Sequence, residues 1–178
     1  MNAEALAGII MNDKRMRKMN ELKKAIEFRE SGKLLESKTL LLDLLKLYPS
    51  NPDVWYQCAW VHDLLELERE AIPYYQKALE LGLQDEDRKG ALLGLGSTYR
   101  VLGMYEQSKV IFEKAIHEYP EDNEYRVFLA MAKYNLKEYD QAMEILLKLL
   151  SETSSDTGIQ SYKKAIQYYS NKLDKVWK

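Results

Sequence analysis

A period of about 34 residues constrains this chain more than its composition does. The pair Gly96-Ser-Thr-Tyr99 and Tyr105-Glu-Gln-Ser108 returns, weakened, as Ala130-Met-Ala-Lys133 and Tyr139-Asp-Gln-Ala142, 34 residues on in both cases. Going back, Ala59 precedes Gly96 and Ala71 precedes Ser108 by 37 residues, and a step of 34 from Ala59 reaches Ala25. A unit therefore occurs four times, with three extra residues in the polar junction "QDEDRK". Units of this length bury their apolar stripes against their neighbours, so such an array needs a cap where the repeats stop.

Each unit reads as two helices. In the third, Leu92, Leu95, Gly96, Tyr99 and Leu102 recur at steps of three and four, and so do Tyr105, Ser108, Ile111, Phe112, Ala115, Ile116 and Tyr119. Pro120 stops the second helix, as Pro49 stops its equivalent in the first unit. Two glycines in this stretch need a reason, since glycine inside a helix costs roughly 1 kcal/mol relative to alanine. Gly103 sits between the helices, where a turn requires positive φ. Gly96 lies mid-helix on the buried side, where the spacing predicts that the paired helix passes too close for a large side chain.

These residues resemble the tetratricopeptide repeat family. The match rests on Leu95, Gly96, Tyr99, Gly103, Tyr105, Phe112, Ala115 and Pro120 in the third unit, with Ser108 in place of the usual alanine. The second unit supplies Trp55, Ala59, Ala71, Tyr75 and Ala78; the fourth Leu129, Ala130, Tyr139 and Ala142; the first only Ala25, Phe28, Gly32, Leu34 and Pro49. The finer resemblance is to small stand-alone tetratricopeptide proteins of bacteria. It implies an all-α, right-handed α-α superhelix, a solenoid of about four helix-turn-helix repeats at 18–51, 52–88, 89–122 and 123–156. Residues 157–178, with the stripe Ile159, Tyr162, Ile166, Tyr169, Leu173 and Val176, read as a C-terminal capping helix. Residues 1–17 form an N-terminal arm or short helix, with Asn12 or Asp13 capping a helix that runs to about Glu30.

In this family the first helices of successive repeats line a concave groove, so the repeat offsets select the residues to inspect. One ring is Leu22, Tyr56, Leu93 and Val127; the next Ile26, Trp60, Ser97 and Met131; the third Arg29, Asp63, Arg100 and Tyr134. Met19 and Phe128 extend the patch. Exposed apolar and aromatic side chains of this kind mark protein-binding surfaces. Ile26 and Trp60 stand where members that grip a terminal carboxylate carry asparagines, so an amphipathic helix or an extended apolar peptide is the expected ligand. Alternatively the groove is covered by this chain's own N-terminal arm or by a second copy, in a homodimer. Asp63, between Arg29 and Arg100, pairs with those bases or leaves them for a ligand.

Composition narrows the remaining classes. A net charge of −2 argues against a protein built to neutralise nucleic-acid phosphates. One cysteine, Cys58, and two histidines are too few for a closed zinc site, and no cofactor or metal is expected. His62 and His117 lie on different units with no carboxylate at triad-like spacing, so catalysis is not expected either. The run Ala5 to Met11 precedes its basic residues, the wrong order for a secretory signal, and no stretch approaches a membrane span. A soluble, cytoplasmic protein is the expectation. Charge is segregated: residues 13–24 carry +4, residues 62–87 carry −6 and residues 160–178 carry +4, a pattern that favours end-to-middle contact between copies.

Overall fold

The computed structural model describes residues 3–177, with side chains from Met16 onward. All regular elements among the described residues are helices. They come in antiparallel pairs: α1 (Ala3–Glu30) with α2 (Leu34–Leu47), α3 (Pro52–Leu64) with α4 (Glu68–Glu80), α5 (Asp85–Val101) with α6 (Tyr105–Glu118), and α7 (Glu124–Asn135) with α8 (Tyr139–Thr153). The short α9 (Thr157–Ser161) and α10 (Lys163–Tyr169) follow. The chain forms two compact units that divide within α5, one ending at Gly94 and the other beginning at Leu95.

In the first unit α1 packs on α2, α2 on α3 and α3 on α4, and the first helices α1 and α3 also touch. Its core joins Ala25, Leu41, Leu44, Val54, Cys58 and Val61, with Leu22, Leu34 and Tyr48 against them. In the second unit α7 packs on α6 and α8, and α10 packs on α8. Phe112 and Tyr125 are fully buried there. Cys58, Leu95 and Leu129, one repeat position in three units, are all buried.

The turns inside the pairs repeat as closely as the helices. Gly32, Glu66, Gly103 and Lys137 hold one repeat position, and all four have φ between 58° and 77°. At each the next amide bonds back to the helix: Lys33 N to Phe28 O, Leu67 N to His62 O, Met104 N to Tyr99 O and Glu138 N to Lys133 O, at 2.8 to 2.9 Å. This left-handed closure satisfies carbonyls that a helix end leaves open. Glycine takes it freely; Glu66 and Lys137 adopt it against the Cβ clash.

Serine also has a repeated use. Ser37 Oγ donates to the Ala25 carbonyl at 2.7 Å, and Ser108 Oγ donates to the Gly96 carbonyl at 2.8 Å, both buried. These bonds clamp the second helix to the first at the small residue, where Ala71 and Ala142 rely on packing alone. Gly96 behaves as its spacing predicts: a Cβ there would sit 2.6 Å from two carbons of the Phe112 ring.

Both ends differ from expectation. α1 runs unbroken from Ala3, with no cap at Asn12 or Asp13, because nothing in Ala3 to Lys18 breaks a helix apart from Gly8. The side chains of residues 3–15 lie outside the described set, so the sequence reading of the arm goes no further there. The C-terminal stripe forms two short helices rather than one: Tyr162, at φ −104° and ψ 10°, separates α9 from α10. Beyond Tyr169 the chain turns, and Trp177 packs edge-on against Tyr169 with ring centroids 5.5 Å apart. α5 starts at Asp85, so the extra residues of "QDEDRK" lengthen its first turn.

Candidate functional site

The three expected rings divide between the units: Leu22, Ile26, Arg29, Tyr56, Trp60, Asp63 and Leu93 belong to the first, and Ser97, Arg100, Val127, Met131 and Tyr134 to the second.

In the first unit Trp60 is the exposed member. The Arg29 guanidinium stacks on its indole at 3.5 Å from the ring centroid, and Tyr56 lies on it at 5.7 Å. Leu22, Ile26, Asp63 and Leu93 are half-buried. Arg29 and Tyr56 are buried, so they stand behind the surface instead of on it. The reason is local packing. Tyr56 is held between Trp60 and Tyr75 with its hydroxyl against Gly90, and Arg29 fills the space beneath the indole. Arg29 keeps one ion pair, to Glu30 at 3.7 Å, and its Nε has no hydrogen-bond partner. Burial pulls its pKa down, against Glu30, Tyr56 and Asp87. Asp63 accepts a 2.6 Å hydrogen bond from the Tyr75 hydroxyl, a partner that the ring arithmetic did not foresee.

In the second unit Arg100, Met131 and Tyr134 come together around a cavity of about 510 Å³. Val127 and Ser97, both half-buried, are not part of its lining. The other wall comes from Tyr139, Ala142, Met143 and Leu146 of α8, which sequence reasoning missed. Attention to first helices alone hid them. The signal was present in Tyr139, Met143, Leu146 and Leu150, a second apolar stripe at steps of four, three and four beside the buried one at Ala142 and Leu149. Arg100 Nη1 reaches Asn135 Oδ1 at 3.5 Å, while its Nε is buried without a partner. Tyr134 stands edge-on to Tyr139, centroids 5.0 Å apart.

The reactive side chains are packed away. Cys58 is buried and its thiol is pushed up to about 12 by desolvation, which makes it a poor nucleophile at neutral pH. His62 donates from Nδ1 to the Cys58 carbonyl at 2.6 Å and stacks on Tyr74 at 4.7 Å; burial lowers its pKa and keeps the ring neutral. Among the described residues no cluster of three His, Cys, Asp or Glu side chains is placed to hold a metal, and no helix is long and apolar enough to cross a membrane.

The buried acids set the response of the first unit to alkali. Desolvation, with Asp87 adding to it, raises Tyr56 to about 12, and desolvation raises Cys58 likewise. The unfolded chain releases these protons near the ordinary values of 10.0 and 9.0, so it binds fewer protons than the folded chain across the interval between. Stability therefore falls as pH rises from about 9 to about 12. Circular dichroism melts across that range should show the loss, and Cys58→Ala should flatten its lower part; a flat profile in the parent chain would refute the assignment.

Paired helices, small residues at the crossings and one left-handed turn per pair define a protein of the helix-turn-helix repeat class. The sequence profile described as tetratrico peptide repeat matches residues 52–173, more than half of the chain, and the protein belongs to the tetratricopeptide repeat family. Superkiller protein 3 of Saccharomyces cerevisiae is 29% identical over 93 residues, which is 52% of this chain and 6% of that protein. The chain thus spans only a small fraction of that relative's length. Among solved structures, MamA (residues 41 to its end) from Desulfovibrio magneticus RS-1 superposes with a TM-score of 0.70 at 14% identity, covering 88% of both chains. YrrB, a tetratricopeptide repeat protein with an unusual peptide-binding site, superposes at 0.69 and 18% identity, covering 96% of this chain and 86% of its own. At such identities the superpositions speak for the fold alone.

Proposed function

We propose that this chain is a non-enzymatic adaptor of the cytoplasm that holds an apolar peptide or helical segment of a partner protein against the first-helix faces of its repeats. The observation that carries the reading is the cavity beside exposed Met131 and Tyr134, apolar on both walls and large enough for a bulky side chain. Trp60 supports it from the first unit: a stacked guanidinium holds the indole in place, so little side-chain entropy is lost when a partner covers it. The peptide-binding site named for YrrB is in keeping with this class of ligand. A buried, high-pKa thiol and a packed, neutral histidine favour binding over catalysis. The single free cysteine fits a reducing compartment.

Capture from cell lysate by the parent chain, compared with Trp60→Ala and Met131→Asp, tests the reading. Helix content should hold in both. Melting should hold in Met131→Asp, at an exposed position, but fall in Trp60→Ala, where the Arg29 guanidinium loses the indole it stacks on. Capture should fall at least about thirtyfold in each, the scale of an interface anchor. Capture that survives both changes would remove the groove from the account.

A further inference from the structure

The face of α8 that carries Tyr139, Met143, Leu146 and Leu150 is uncovered where every earlier repeat is covered. Leu41, Tyr75, Phe112 and Leu146 hold one repeat position; their exposures are 1%, 3%, 0% and 40%. In each of the first three cases the first helix of the following repeat closes over the side chain. Leu41 is packed with Val54, Cys58 and Val61 of α3; Tyr75 meets Gly94 of α5; Phe112 meets Phe128 of α7 at 5.7 Å. After α8 the described residues form α9 and α10, and although α10 packs on α8 it leaves Tyr139, Met143, Leu146 and Leu150 exposed. This is one continuous helical stripe lacking the helix that would cover it.

The same chain contains a helix with the opposite excess. Lys18 Nζ lies 6.0 Å from the centre of the Tyr48 ring, which places the end of α2 level with Lys18. The fifteen residues of α1 before it, Ala3 to Arg17, continue past α2 for roughly 22 Å at the rise of an α-helix. Their sequence opens with the apolar run Ala5 to Met11, in which Leu6, Ile9 and Ile10 are spaced by three and four and Ala5, Ala7 and Gly8 are small. Small residues are what a covering helix needs where it crosses a bulky side chain, as Gly94 does over Tyr75. The run leads into Lys14, Arg15, Arg17 and Lys18, while Asp140, in the first turn of α8, stands beside the start of the uncovered stripe.

We infer that the uncovered face of α8 is the seat of the N-terminal helix, residues 3–17, of a second copy of this chain, which supplies the helix that a fifth repeat would have supplied. Reciprocal exchange closes a dimer; exchange in one direction builds a longer assembly. The inference shares one feature with the interaction reading, since Tyr139, Met143 and Leu146 of the seat are the second wall of the cavity that Met131 and Tyr134 complete; Trp60 takes no part in it.

Light scattering of the full chain at rising concentration tests it, using two variants that each damage one half of the contact. The parent should reach at least twice the monomer mass. Leu146→Asp and Ile10→Glu should each stay monomeric with helix content unchanged, because Leu146 is already 40% exposed. Mixing the two should restore a complex, since the intact N-terminal helix of the first can seat on the intact α8 of the second. Met143→Glu, at another exposed position, should reproduce Leu146→Asp. Trp60→Ala should associate like the parent, so that loss of partner capture and loss of self-association are read separately. A parent that stays monomeric, association unchanged by Leu146→Asp, failure of the mixture to form a complex, or loss of association in Trp60→Ala would each overturn the inference.

Discussion

Phe112→Ala should cost the second unit about 3–5 kcal/mol, a large share of the roughly 5–15 kcal/mol that holds a domain together. The ring is fully buried, lies against Phe128 of α7, and covers the helix α5 at Gly96, where α5 has no side chain to give way. Gly96→Ala attacks the same crossing from the other side. Alanine is the better helix former by roughly 1 kcal/mol, yet its Cβ would stand 2.6 Å from the Phe112 ring, so the net result should be a loss of about 1–3 kcal/mol. The pair should not be additive. In the double variant the methyl at 96 enters space vacated at 112, and the loss should fall short of the sum by about 0.5 kcal/mol or more, the size of coupling that touching residues show. Urea unfolding of the four chains measures all of this, and strict additivity would mean that glycine is kept at 96 for some reason other than Phe112.

That crossing was legible in the sequence because it depends on period alone. A small residue every 34 to 37 residues on the buried side of a first helix, with a bulky residue sixteen positions later, is a pattern that counting can find. Gly103 was legible for the same reason, since a left-handed turn leaves a glycine mark. Glu66 and Lys137 take the same backbone conformation without that mark, and only the hydrogen bonds of the turn reveal them. The candidate surface was legible in part. Offsets name residues that share a face, but they do not say how deep each one sits. Tyr56 and Arg29 share a face with Trp60 and yet are buried, because the neighbouring glycines let the tyrosine sink and the guanidinium prefers the underside of the indole to water. On α8 the offsets mislead in the other direction: the equivalents of Leu146 in other repeats are interior, and its exposure, like that of Met143, follows only from what comes next in the chain.

The two tyrosines that sank into α5 provide the sharper test of this packing. Gly90 and Gly94 are one helical turn apart; a Cβ on the first would overlap the Tyr56 hydroxyl, and a Cβ on the second would overlap the Tyr75 hydroxyl. Gly90→Ala and Gly94→Ala should therefore each lose about 1–3 kcal/mol of stability in the first unit. Their rescues should differ. At Gly90 the next atom behind the hydroxyl, Tyr56 Cζ, is 3.1 Å from where the added methyl would stand, a distance that a small ring shift absorbs. Tyr56→Phe should then return most of the stability lost in Gly90→Ala. At Gly94 the ring itself is in the way, with Tyr75 Cζ at 2.5 Å and Cε1 at 2.9 Å, and the ring is fixed from its far end by the bond that its hydroxyl donates to Asp63. Tyr75→Phe removes that bond without clearing the ring, so the double variant with Gly94→Ala should be no more stable than Gly94→Ala alone. Thermal melts of the single and double variants decide it. Equal rescue at both glycines would show that the hydroxyls alone fill these sockets, and no rescue at Gly90 would show that the Tyr56 ring is as tightly held as that of Tyr75.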